Sequence, residues 1–211
     1  MHVQGTHYPY SYIAGQISSS YPTILTVHGL MSREYKFYKG LNFVGGFLSF
    51  ILEKYAFRKI KDIIVCSLPM RAEVKKLSKA KINLIPNGIE LDEIQSFKPS
   101  KLVKNPSIIY LGLLEDIKGI DVLIKATKIV KEEMPDIVVY VAGTGSKEDS
   151  VKQLSKDLNL DETIKFLGYL DDIEKFSYLK SADICVVPSR YESFGIVILE
   201  AMASRTPVIA S

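Results

Sequence analysis

Cysteine is scarce in this sequence. Cys66 and Cys185 are the only two in 211 residues, and each lies inside an apolar run, "DIIVCS" and "ADICVVPS". A disulfide or a metal site would call for more ligands nearby, so both read as buried, reduced thiols. Unused cysteines of this kind fit a reducing compartment, the cytoplasm. Charge of one sign is also missing. The net charge is +3 and the basic residues are dispersed, with no basic run interleaved with aromatics, which argues against a nucleic-acid partner. No run is long enough to span a bilayer. The most apolar segment, "LNFVGGFLSFILEKYAFRKI", is uninterrupted for about 12 residues, or ~18 Å of helix, against roughly 30 Å of hydrocarbon. Residues 1–20 lack the basic start and apolar core of a signal peptide.

What remains is a soluble composition, 47% hydrophobic and 24% charged, at a length suited to one large domain or two small ones. Short β-rich runs recur: "TILTVHG", "DIIVCS", "INLIPNG", "SIIYLGLL", "IVVYVAGTG", "IKFLGYL", "ICVVPS" and "PVIAS". Continuous apolar runs suit strands buried on both faces, as in a parallel sheet. Helical spacing fills the gaps, as in "GIDVLIKATKIVKEE" and "SVKQLSKDLNL". The alternation predicts an α/β fold with right-handed crossovers. One stretch, "QSFKPSKLVKNPS", is polar, carries two prolines and has no period. It predicts a boundary near Phe97, with residues 1–97 in one unit, 98–106 as linker and 107–211 in a second. Two such units would face each other across a cleft, where open α/β sheets bind ligands. Met1 leads straight into "HVQG" and the chain stops on "PVIAS", both strand-like. An uncovered strand at each end predicts that both units are truncated and the chain a fragment.

The richest stretch is "PSRYESFGIVILEAMASRTPVIAS". A strand ends in Pro-Ser, a turn carries Glu192, and a helix follows from Phe194 with Ser193 as its expected cap. Gly195 permits close approach of backbone and ligand, and the helix N-terminus offers N–H groups to an anion. Glu200 sits in a run that is apolar all round, which predicts burial, and a buried carboxylate is costly without a partner. One carboxylate at the turn and one about 7 Å along the helix can bracket an extended polar ligand.

This stretch resembles the donor-site motif of retaining glycosyltransferases of the GT-B fold, glycosyltransferase family 4. "SIIYLGLLEDIKGIDVLIKA" and "VAGTGSKEDSVKQLSKDLNLDETIKFLGYL" are similar to further parts of the family's donor domain, and "IPNGIELDEI" to the end of its acceptor domain. The resemblance implies two Rossmann-like domains and transfer of a sugar, with retention, from a nucleotide-diphosphate sugar to a hydroxyl of a glycan, lipid or small-molecule acceptor. It implies that Glu192 contacts the transferred sugar, that Lys118 of "DIKG" pairs with the departing diphosphate, and that His28 of "LTVHG" lies near the donor sugar. Ser193, Phe194 and Gly195 would hold sugar and diphosphate. Glu200 would accept hydrogen bonds from the ribose. Gly112, Gly143 and Gly145 would line the nucleotide side, with Tyr169 and Leu170 at the base. The family has an arginine after the glycine of its first strand, where this sequence has Leu113; Arg190 and Arg205 are the arginines to consider as replacements.

Other features carry less. Asp171 and Asp172 read as caps favoured by the helix dipole, and the resemblance implies neither metal nor cofactor. Asn87 and Gly88 read as a turn. The helix around Phe43–Lys59, aromatic and basic together, reads as packing on its own sheet, with peripheral contact to an anionic membrane face as the second reading. Two rival functions stay open. A non-catalytic nucleotide-sugar binder is motivated by Leu113, and a GT-B-type epimerase or phosphorylase shares the donor site.

Overall fold

β-Branched residues bounded by polar turns form every strand that the composition marks. The structure, a computed structural model, describes residues 1–6, 10–101, 103–104 and 106–211. The chain divides into two units, Met1–Gly88 and Ile89–Ser211.

In the first unit, β1 (His2–Gln4), β2 (Ile24–Val27), β3 (Asp62–Val65) and β4 (Lys81–Leu84) lie side by side in chain order, all parallel. Helices α1 (Tyr10–Ile17), α2 (Met31–Glu34), α3 (Leu41–Lys59) and α4 (Leu68–Leu77) connect them. Leu25, Val27, Ile63 and Val65 alternate along their strands and are fully buried, the period-two pattern of one covered face.

Glu53 of α3 is the charged exception in that core. It is fully buried and accepts hydrogen bonds from the backbone N–H groups of Met31 (2.8 Å) and Ser32 (3.2 Å). It thereby serves the first turn of α2, where the N-cap Leu30 has no side-chain acceptor to offer. Burial pushes the Glu53 carboxyl up to about 7, against these bonds and one from Thr6, with Glu34 nearby adding to the rise.

The second unit begins with α5 (Leu91–Ser96). It continues through β5 (Ser107–Leu111), α6 (Ile120–Glu133), β6 (Val138–Ala142), α7 (Glu148–Asp157) and β7 (Ile164–Gly168). It ends with α8 (Asp172–Leu179), β8 (Ile184–Val187), α9 (Ile196–Ala203) and β9 (Val208–Ala210). Its parallel strands run in the order β7-β6-β5-β8-β9. Ile109, Leu111, Tyr140 and Cys185 pack on one face; Tyr110, Val139 and Val141 pack on the other. The sheet is thus buried on both sides, as its continuous apolar runs require. Strand order reverses between β5 and β8, the position where open α/β sheets open a ligand crevice. Both cysteines are buried and not joined in a disulfide. Burial, with Glu200 nearby adding to it, pushes the Cys185 thiol up to about 12.

The division between units falls earlier than the composition suggests. Polar residues around Phe97 read as the start of a linker, yet Ile94 and Phe97 are anchors. Ile94 joins the second core, and the Phe97 ring stacks on Phe176 at 5.2 Å. Lys180 donates to the carbonyls of Gln95 and Phe97, both at 2.7 Å. Within the expected linker 98–106, Ser100 N–H donates to the Ser177 carbonyl at 3.0 Å, while residues 102 and 105 lie outside the described residues.

A carboxyl whose folded pKa is raised stabilises the fold fully below its unfolded value and loses that contribution as pH rises through the folded value. For Glu53 the window runs from about 4.5 to about 7, and the full loss is on the order of 3 kcal/mol. Urea unfolding at about pH 5 and about pH 8 should show wild type weakening more than Glu53→Gln, which cannot ionise. Equal pH slopes in the two proteins would remove this account of Glu53.

Candidate functional site

The C-terminal edge of the second sheet opens at the reversal. Among the described residues β5 and β8 are in register at Ile108–Ile184 and Ile109–Cys185, while β5 stays paired with β6 as far as Leu111 and β8 with β9 as far as Val187. The chain after β5 makes a 3-10 turn, Asp116–Lys118, closed by Gly119 in the left-handed region (φ 67°). A Cβ on Gly119 would stand 1.9 Å from the carbonyl oxygen of Pro188, so the loop after β5 lies directly on the loop after β8. The next loop is seated in the same way. Gly143 (φ 133°) would place a Cβ 1.9 Å from the Gly112 carbonyl oxygen. Gly112 N–H donates to the Ala142 carbonyl at 3.1 Å and Gly143 N–H to the Gly168 carbonyl at 2.7 Å.

Charged groups tie these loops together. Arg190 makes two 2.8 Å hydrogen bonds to the carboxylate of Asp121 and donates to the Asp116 carbonyl at 2.6 Å. The guanidinium holds the Asp121 carboxyl below the usual carboxylate range. Glu115 accepts from the Ser146 N–H and hydroxyl, both at 2.7 Å. Lys147 pairs with Asp116 at 3.0 Å.

Two further lysine–carboxylate pairs sit at this edge. Lys118 Nζ is 2.7 Å from Glu192 Oε2, and the Ser189 hydroxyl donates to the same oxygen at 3.2 Å. Lys175 Nζ lies 2.9 Å from Glu200 Oε1 and 2.8 Å from Asp172, and 4.4 Å over the Phe176 ring. Burial works against the Lys175 ammonium, but the Asp172 and Glu200 carboxylates outweigh it and hold its pKa above the usual lysine value.

The residues expected from the sequence fall mostly on this edge. Lys118 and Glu192 meet directly. Gly112, Gly143 and Gly145 lie in the stitched loops after β5 and β6. Tyr169 and Leu170 follow β7, the tyrosine exposed and the leucine packed on the core. Ser193, Phe194 and Gly195 form the turn into α9. The N-cap position of that helix is Gly195, at φ 82°, with no side-chain capping bond of its own; Ser193 stands two residues earlier. The helix is also less buried than its composition implies, since Ile196 and Met202 are exposed and Ala201 alone among its described residues is fully enclosed. Asp171 does cap α8, in a reciprocal capping box with Glu174. Arg190 is committed to Asp121, and Arg205 stands in the left-handed region (φ 63°) after the α9 C-cap, a position that favours glycine. His28 belongs to the first unit, at the end of β2, where its Nε2 is 2.7 Å from Gln4 Oε1.

Lys175 was not among the expected residues. The signal for it was energetic: a carboxylate in an apolar helix demands a cation, and "DDIEKF" offers one. Ser189 stood in the motif's Pro-Ser with no role assigned to it, and the Arg190–Asp121 clamp carried no motif signal.

Two parallel-sheet α/β units in one chain are the frame of a GT-B protein. Residues 92–211 match the family described as Glycosyl transferases group 1, and residues 1–93 match Glycosyltransferase Family 4. The chain belongs to the glycosyl transferases group 1 family. It is 29% identical over 196 residues to a glycogen synthase of Mycobacterium tuberculosis, covering 90% of this chain and 46% of that protein. It is 34% identical over 167 residues to a phosphatidyl-myo-inositol mannosyltransferase of Mycobacterium leprae, covering 76% of this chain and 43% of that protein. Sucrose-phosphate synthase from Thermosynechococcus elongatus superposes with a TM-score of 0.83 at 26% identity, covering 99% of this chain and 55% of that one. Anabaena Alr3699/HepE, solved in complex with UDP-glucose, gives a TM-score of 0.73 at 22% identity, covering 94% and 55%. The chain spans about half the length of the curated relatives it matches.

Removing Lys175 leaves the Glu200 carboxylate, 13% exposed, without its cation. Lys175→Met should cost about 1–3 kcal/mol, below the fully buried figure because water still reaches the pair. Glu200→Gln in the same chain should restore part of that loss. A double-mutant cycle by urea unfolding is expected to give about 1 kcal/mol of coupling; additive effects would mean that the pair does not couple.

Proposed function

We propose that the protein transfers a sugar from a nucleotide-diphosphate donor to an acceptor hydroxyl, with retention at the anomeric carbon. The observation that carries this reading is the Lys118–Glu192 pair, 2.7 Å apart where the strand order reverses. A diphosphate departing beside it finds an ammonium, and the sugar finds a carboxylate that accepts from its hydroxyls. Glu200, held by Lys175, is assigned to the ribose. The backbone of Ser193, Phe194 and Gly195 is assigned to sugar and diphosphate, that of Gly112, Gly143 and Gly145 to the nucleotide, and that of Tyr169 and Leu170 to the base.

The chemistry asked of the chain is positioning and charge stabilisation. The C–O bond to the diphosphate breaks while the acceptor oxygen approaches from the same face, and the departing phosphate oxygen takes the acceptor proton. Lys118 stabilises the negative charge that grows on the leaving group. No metal is required in this account. Solved structures of similar fold that hold UDP or UDP-glucose support a nucleotide-sugar ligand, and two buried cysteines in separate apolar runs support a reducing, cytoplasmic setting.

A second reading, a nucleotide-sugar binder without transfer, is favoured by one observation. Leu113, exposed, stands where the resemblance places an arginine, and its carbonyl is held by the Tyr110 hydroxyl at 2.8 Å.

Calorimetric titration of this chain with UDP-, GDP- and ADP-sugars should give saturable binding to one of them, at least about tenfold weaker in Glu200→Ala. Binding to none would withdraw the donor site. In the full-length protein, Lys118→Ala should lower turnover about 10²–10³-fold while donor binding persists; unchanged turnover would remove Lys118 from the mechanism. Donor binding without turnover in wild type would decide for the second reading.

A further inference from the structure

Helix α3 is apolar around most of its circumference for its first three turns, and only one side of it is covered. Gly46, Glu53, Ala56 and Phe57 face the core. On the outward side Leu41 is 90% exposed, Val44 63%, Leu48 55% and Ile51 47%, with Phe47 also exposed. Their spacing of three and four residues makes one outward stripe, and Lys54 and Arg58, both exposed, continue it for the last turns. The stripe is well supported. Tyr35 contacts the rings of Phe43, Phe47 and Phe50 at 5.3–6.0 Å, and Lys54 lies 4.6 Å over Phe50. Scattered apolar side chains need no partner, but a contiguous patch marks a contact surface.

Charge says what covers it. From Tyr35 to Lys61 the sequence holds six cations, Lys36, Lys39, Lys54, Arg58, Lys59 and Lys61, and one acid, Glu53, which is buried. The far end of α3 opens on a cleft of about 550 Å³ that is lined by Arg58, Lys59, Lys61, Lys75, Lys76 and Lys79 and, among the described residues, by no acid; Lys76 is paired with Glu73. A second copy docking through this face would set cations against cations, which disfavours it. Apolar side chains that insert, flanked by lysines whose stems run along them while the ammonium groups reach outward, match the boundary of an anionic bilayer.

We propose that the outward stripe of α3 and the cationic cleft at its end dock this protein on an anionic phospholipid surface. The inference is independent of the sugar-transfer reading.

The test is flotation with vesicles of phosphatidylcholine alone and of phosphatidylcholine with about one quarter phosphatidylglycerol, at low and at high salt. Wild type should float with the anionic vesicles, at least about tenfold less with the neutral ones, and less at high salt. Val44→Ser with Leu48→Ser should reduce flotation at least about tenfold with an unchanged melting curve, since both side chains are already exposed. Lys75→Ala with Lys79→Ala should cost about fivefold per lysine and provides a second variant away from the helix. Failure to float, or equal flotation with both vesicle types, overturns the proposal. So does a dimer on size exclusion that the serine variant dissolves, because a second copy would then cover the face. Flotation by this chain but not by a longer product of the same gene also overturns it, since polypeptide would then occupy the stripe.

Discussion

Pro188 presents its carbonyl oxygen to residue 119 so closely that a Cβ there would stand 1.9 Å away, and the loops after β5 and β8 lie on one another only because that residue is glycine. The left-handed φ of Gly119 (67°) serves the same end, closing the 3-10 turn that carries Lys118. Around this contact the chain adds fastenings: the Arg190 N–H donates to the Ile117 carbonyl at 2.9 Å, and the Arg190 side chain grips Asp121 and the Asp116 carbonyl. The Lys118–Glu192 pair is the consequence. Neither residue is placed by its own helix or strand; both ride on loops whose separation a single missing side chain sets. Loops of this kind are more often mobile than fixed, which explains why so much backbone hydrogen bonding is spent on them.

The two lysine–carboxylate pairs differ in what they can do. Lys118 and Glu192 each keep about a quarter of the side chain in water, so their attraction is screened and the pair opens at modest cost when an anion competes for the ammonium. Glu200 is more enclosed, and Lys175 is shared between it and Asp172 over an aromatic ring. Opening that pair strands a charge in a poorer solvent, which is the costly arrangement. Glu200 therefore behaves as a fixed acceptor, oriented before any ligand arrives, and the Lys118–Glu192 pair as an exchangeable one. In the transfer proposed above, that division would hold the nucleoside end of the donor in place while charge grows at its diphosphate end.

Most of the fold was legible because the strands are short, apolar and bounded by turns, so run length and flanking turns separate them from helices. The misreadings share a cause. Polar composition around Phe97 suggested a linker, but two apolar side chains, Ile94 and Phe97, fasten the segment to the second core, and an average over a window dilutes two anchors. Ser193 looked like a cap because serine favours that position; the N-cap position falls at Gly195, which can take φ 82°. Helix α9 looked buried because every residue but Glu200 is apolar, yet it lies at the sheet's margin near β9, the edge strand, with one side open. Contacts distant in sequence were the least legible. Lys175 and Glu200 are 25 residues apart, and Glu53 reaches α2 across 22; no local pattern encodes either.

Leu113 carries the most weight for chemistry. The leucine is exposed, so packing does not explain it, and the Tyr110 hydroxyl fixes its backbone rather than its side chain. Arg190, the arginine of the motif loop, is held by two hydrogen bonds to Asp121, and freeing it would break the clamp that seats Lys118. A substitute cation from that direction would thus undo the geometry it was meant to assist. Each charge-assisted contact to a leaving diphosphate is worth a few kcal/mol at most once solvent is replaced by fixed groups, roughly two powers of ten in rate. In the transfer proposed above, Lys118 is the one ammonium assigned to the leaving group and Leu113 adds none, so the remaining charge would fall to backbone N–H groups at the start of α9, which stabilise an anion by position without adding a proton to it.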